Sequence, residues 1–100
     1  MRAPSFEWDE NKNQENIAKN GVSFHEAQRA FTDEQRLIVE DLDHSDTKER
    51  WFCFGKVEDH IMTVRFTYRD GKIRIYGAGY WRKGRQVYEE KNEEKNKVHR

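Results

Sequence analysis

Cysteine occurs once in the 100 residues, so no disulfide can form within the chain. That residue, Cys53, sits in Trp-Phe-Cys-Phe, a setting that suits a small buried hydrophobe better than a reactive thiol. No apolar run approaches the ~20 residues needed to span a bilayer, and Met1-Arg2-Ala3-Pro4 is followed by no apolar core of a secretion signal. The cytoplasm is therefore the expected compartment, with no membrane partner. His25, His44, His60 and His99 have no close ligand spacing with each other or with Cys53, so neither a metal nor a cofactor is expected. Gly77-x-Gly79 is too short and too late to be a dinucleotide loop. No internal repeat is visible, and the only low-complexity segment is a Glu/Lys/Asn tail. Apolar residues are scarce as well. With 34% hydrophobic and 38% charged residues, a single modest core must lean on the aromatics, which make up 13% of the chain.

What is present is an uneven distribution of charge. Residues 1–60 hold 8 Lys/Arg against 14 Asp/Glu, whereas residues 61–100 hold 11 against 5. A chain with no net charge but a basic half points to a localised anion site. The basic half opens with IMTVRFTYR and KIRIY, two β-branched and aromatic runs joined by Asp70-Gly71, the pair favoured in a tight type I′ turn. Alternation places Met62, Val64, Phe66 and Tyr68 on one face of this hairpin, and Thr63, Arg65, Thr67 and Arg69 on the other. Ile73 and Ile75 likewise oppose Lys72, Arg74 and Tyr76. One face is core, and the other is built to meet polyanions.

The rest of the chain reads as one domain over residues 1–90, followed by a polar tail, 91–100, that frays from the last helix or is disordered. Ser5 to Trp8 predicts a first strand, and Asp9 caps a polar helix that offers Ile17 and Ala18 to the core and closes at Asn20-Gly21. Ser23 and Glu26 form a capping box for a second helix with Phe24, Ala27 and Phe31 on its apolar side. RLIVED, Arg36 to Asp41, predicts a second strand, followed by a polar loop and then by RWFCFG, whose nearly continuous apolar run suits a central strand. After the hairpin, Gly77-Ala78-Gly79 is a permissive break before Tyr80-Trp81 and a basic helix from about Arg82. The expected fold is α+β, in the order βααββββα: a small, mostly antiparallel sheet packed with two N-terminal helices and a C-terminal helix.

Chemically, His44 and Glu49 precede the third strand and share the chain with an arginine-rich hairpin. Cleavage of RNA by attack of a ribose 2′-hydroxyl needs a base, an acid for the leaving 5′ oxygen, and cations for the charge developing on phosphorus. His44 suits proton transfer at neutral pH, and Glu49 does so if burial raises it into range. Arg65, Arg69 and Arg74 suit the phosphate clamp, since a guanidinium holds phosphate bidentately. Lys72 and Arg82 extend the basic surface, and Tyr76, Tyr80 and Trp81 can stack on splayed bases. A plainer reading stands beside each. His44 also suits a turn, Glu49 and Arg50 suit surface pairs, the strand arginines suit a solvated face, and Tyr80 and Trp81 suit the core.

The residues also carry a family pattern. Phe6-Glu7-Trp8-Asp9, Lys12, Asn20-Gly21-Val22-Ser23-Phe24, Glu26-Ala27 and Phe31 resemble the opening of the BrnT toxins. Asp43-His44-Ser45, Glu49-Arg50-Trp51, Gly55, Thr67, Arg69, Arg74 and Tyr88-Glu89 are similar to the remainder of that pattern. The resemblance implies a RelE-like fold and a type II toxin: a cytoplasmic, metal-independent endoribonuclease that cleaves RNA and blocks translation. It further implies a BrnA-like antitoxin, through which the complex binds operator DNA. By this likeness His44, Glu49, Arg69 and Arg74 are catalytic candidates, and Arg50 joins Arg65, Lys72, Tyr76 and Arg82 as candidates for RNA contact. Where the family usually has Ser-Ala-Arg, this chain has Gly77-Ala78-Gly79, so one arginine of the pattern is absent and Arg65 or Arg82 is left to replace it. A non-catalytic binding module of the same fold is the alternative, as is a basic face shaped to receive an acidic antitoxin segment on Arg65, Arg69 and Arg74.

Overall fold

Asp70 and Gly71 adopt φ angles of 52° and 77°, the left-handed pair that a type I′ turn requires. The hairpin they close joins β4 (His60–Arg69) to β5 (Lys72–Gly79). In the computed structural model, which describes residues 4–44 and 49–98, the other elements are β1 (Phe6–Glu7), α1 (Glu10–Asn20), α2 (Phe24–Ala27), β2 (Leu37–Glu40), β3 (Trp51–Val57) and α3 (Arg82–Val98). The five strands form one sheet in the order β1-β5-β4-β3-β2, antiparallel except for β1 beside β5. β4 is the central strand. The apolar β3 is interior but lies one place from the β2 edge.

The two N-terminal helices and a 3₁₀ turn at Gln28–Thr32 cover one sheet face. Phe24, Cys53, Met62, Val64, Phe66 and Ile75 are fully buried there. Only glycine at position 55 lets the 3₁₀ turn lie this close, because a Cβ there would fall 2.1 Å from the Ala30 carbonyl oxygen. Burial pushes the Cys53 thiol up to about 12, so the cysteine is the inert hydrophobe its neighbours predict. Tyr68, expected on this face, is 58% exposed. It lies near the hairpin tip, where its ring leans on Trp51 and Phe66.

The caps form largely as expected. Asp9 accepts from the Asn11 and Lys12 amides, and Gly21 closes α1 at φ 71°. What α1 buries is different: Ile17 and Ala18 are exposed, whereas Asn13 and Asn16 are buried. Asn16 donates to the carbonyls of Val22 and Ala78 and accepts from the Ala78 amide, while Asn13 accepts from the Phe24 amide. The helix is thus tied to β5 by amide side chains bonding backbone, which an apolar-periodicity reading cannot see. Ser23 accepts from the Glu26 amide, but the Glu26 carboxylate accepts from the Tyr80 hydroxyl at 3.2 Å, and α2 gives way to the 3₁₀ turn after one turn.

The second face is covered at one end by α3. Gly84 lies directly on Thr63 and Phe54, and Tyr88 donates to Asp33 at 2.6 Å. Burial pushes the Asp33 carboxyl up, but bonds from Tyr88 and the Lys56 and Gln35 amides outweigh it and hold the carboxyl below its usual range. α3 runs on to Val98, so residues 91–98 are helical. Gly77-Ala78-Gly79, read as a break, instead completes β5. A bulge inserts Tyr76 between the pairs Arg65–Gly77 and Phe66–Ile75, so the two glycines lie in the sheet rather than in a hinge.

Candidate functional site

Because α3 stops at the Thr63 end, the rest of the second face stays open. Arg65, Thr67 and Arg69 of β4, with Arg74 of β5, reach it by strand alternation. Tyr76 is the hub. The guanidinium carbons of Arg50 and Arg65 sit 5.6 and 5.2 Å from its ring centroid, within range of cation–π attraction. Among the described residues Arg65 and Arg69 have no carboxylate partner, whereas Arg74 pairs with Glu7 of β1 at 3.1 Å. Lys72 flanks the hairpin turn opposite Arg69.

The sequence-predicted residues do not gather at one point. His44 lines a hollow of ≈ 450 Å³ with Phe52, Arg65, Trp81 and Lys83, between the turn Leu42–His44 and the start of α3. Glu49 lines a second hollow with Thr67, Arg69 and Arg74. Arg65 and Tyr76 border a third, against α1. Arg82 faces a different side of α3 altogether, beside Lys56, His60 and Arg85. Ser45 lies outside the described residues.

One contributor escaped sequence reasoning, and another took the less favoured of two readings. Asp41, whose side chain is 6% exposed, meets Nδ1 of His44 at 2.9 Å. An ionised carboxylate can only accept, so Nδ1 carries the proton and Nε2 is the nitrogen left to act, an orienting pair like that behind many catalytic histidines. Its sequence signal is the separation of three residues that one 3₁₀ turn brings together. The second is Trp81, read first as core and alternatively as a base-stacking ring, and it is 39% exposed. Its six-membered ring lies over Gly79, where a Cβ would come within 2.7 to 2.9 Å of three ring atoms. It therefore occupies the space above the strand position where the resembling family carries arginine.

A family model described as "Ribonuclease toxin, BrnT, of type II toxin-antitoxin system" matches residues 8–84, more than half of the chain. The chain belongs to the BrnT family. No curated protein matches it. Membership in a type II toxin family implies an antitoxin partner, and no helix among the described residues is long and apolar enough to cross a membrane. Much of the BrnT pattern turns out to be scaffold. Phe6 packs on Phe31, Trp8 on Phe24, Asp9 and Ser23 cap helices, Gly21 ends one, and Gly55 admits the 3₁₀ turn. His44, Glu49 and Arg69 are instead exposed and serve no such packing.

Proposed function

We propose that this BrnT-family chain is a RelE-like, metal-independent endoribonuclease that cleaves RNA by 2′-hydroxyl attack and thereby stops translation. His44, oriented by Asp41, takes the proton from the 2′-hydroxyl through Nε2, and Glu49 is the second proton-transfer group. Arg69 and Arg74 hold phosphate along the strand ends, and Arg50, Arg65, Lys72, Tyr76 and Arg82 guide the RNA across the sheet and past α3. The observation that carries the reading is an uncovered sheet face, rich in arginine, in a chain whose family is described as ribonuclease toxins. A BrnA-like antitoxin covers this face in the resting complex, and operator DNA is bound through the antitoxin. Charge-assisted pairing of an acidic antitoxin segment with Arg65 and Arg69 would make inhibition and substrate binding compete.

The test is cleavage of a defined RNA by purified protein in excess EDTA, with analysis of the fragment ends. Fragments ending in 2′,3′-cyclic phosphate, absent with Arg69→Ala, are the expected result. A second reading, an RNA- or partner-binding module without catalysis, is favoured by Trp81 lying over Gly79 and by the engagement of Arg74 with Glu7. It predicts salt-sensitive RNA binding with no fragments at all.

A further inference from the structure

The hollow between α1 and β5 belongs to none of the proton-transfer groups, yet it has the make-up of a nucleotide subsite. Its volume is ≈ 410 Å³, and its walls include Lys12 and Lys19 of α1, Arg65 and Tyr76 of the sheet, and Trp81. Gly77 lies in its lining and presents backbone where other strand positions would present a side chain. Three cations face it against one acid, Glu15.

Its aromatics are held rigidly. One face of the Trp81 ring rests on Gly79, while 39% of the residue stays in contact with solvent, so ring surface remains open to a stacking base. Tyr76 is fixed at the bulge under Arg50 and Arg65, and its hydroxyl is buried with no partner among the described residues. The α1 wall is equally firm, since Asn16 and Asn20 both donate to the Ala78 carbonyl. Lys12 and Lys19, two helical turns apart, need no large rearrangement to reach a bound chain.

We propose that this hollow binds one unpaired nucleotide of the RNA next to the scissile site, with its base stacked on Trp81 and its flanking phosphates held by Lys12, Lys19 and Arg65. Base stacking on an aromatic tolerates every base, and lysine recognises phosphate as a point charge, so the subsite supplies grip and register. It rests on the ribonuclease reading for its substrate class but uses α1, which that reading leaves idle. It also gives Gly79 a purpose, as the bare position on which the platform sits.

The test uses the full chain and a 2′-O-methyl oligonucleotide, which has phosphates and bases but no attacking hydroxyl. Binding is followed by fluorescence anisotropy across a salt series. Lys12→Gln/Lys19→Gln is expected to weaken binding at least about tenfold and to flatten the slope of log K against log salt by about 1.4, roughly 0.7 per lost phosphate contact. Trp81→Ala is expected to cost about tenfold, with Trp81→Phe restoring most of it. The lysines are exposed on a helix, so their double variant should unfold at the wild-type denaturant midpoint. Wild-type affinity and salt slope in the lysine variant overturn the subsite, as does loss of antitoxin binding with RNA binding unchanged. A wild-type protein that cleaves no RNA, yet binds with these dependences, defeats the ribonuclease reading and leaves the subsite standing.

Discussion

The two faces of β4 are written by alternate residues of one ten-residue strand, and they have opposite fates. Met62, Val64 and Phe66 are fully buried under the N-terminal helices, while Arg65 is half-buried and Arg69 exposed on the other side. On the second face Ile61 and Thr63 are buried, where α3 covers that end of the strand with Gly84 on Thr63 and Tyr88 in one cluster with Ile61. The lesson is a division of labour at single-residue spacing: one face supplies core along most of its length, and beyond the end that α3 covers the other can be spent on an anion because no element among the described residues packs on it.

The largest effect that separates the faces is expected for Phe66→Ala, which empties a fully buried site. It should lower unfolding free energy by about 3–5 kcal/mol in a denaturant titration, and with it every activity. Arg69→Ala should do the reverse, reducing RNA cleavage by about a hundredfold while unfolding free energy changes by less than about 0.5 kcal/mol. A stability loss as large as that of a core residue would end the idea of separate faces. Next in size is Asn16→Ala, which leaves the Ala78 amide and buried carbonyls short of partners and should cost about 2 kcal/mol although no apolar contact is removed.

The smallest effect, about 1 kcal/mol, is expected for Tyr88→Phe, which removes the bond holding α3 to Asp33. It has a pH signature. Burial and the Asp33 carboxylate raise the Tyr88 hydroxyl above its ordinary 10.0, so its contribution is complete below pH 10 and is lost as pH rises through the folded value. Asp33 is lowered from 3.8, so its contribution holds above that pH and fades as pH falls through the folded value. The stability gap between wild type and variant should therefore be widest between about pH 4 and 10 and narrow on either side. A gap that does not vary with pH would mean that this bond contributes nothing to docking α3.

Much of the fold was legible because local chemistry and tertiary structure agree. Asp9, Gly21 and Asp70-Gly71 each specify a cap or turn by conformation alone, and alternation sorted β4 as far as Phe66. Legibility failed where the partner is distant in sequence. Nothing near Asn13 or Asn16 marks them for burial, because their partners are the Phe24 amide and the backbone of Ala78. Gly77 and Gly79 looked like a hinge because glycine's freedom is visible in sequence while the strand that pairs with it is not. At the candidate site, the residue types were legible and their grouping was not. His44 and Glu49, five residues apart, line different hollows, and Asp41 entered only through the turn that brings it to His44.

Gly79 and Trp81 carry a consequence for how this sequence can vary. A side chain at 79 and an indole at 81 claim the same space above the strand, so the two positions form a linked pair. In a lineage that gains arginine at 79, the ring at 81 must be lost or swung away, and neither change alone leads from one arrangement to the other without an overcrowded or a vacant intermediate. Among relatives, a large residue should stand at one of the two positions and a small or displaced one at the other, so that the pair records which of two surfaces, cationic or aromatic, a given toxin presents beside α3.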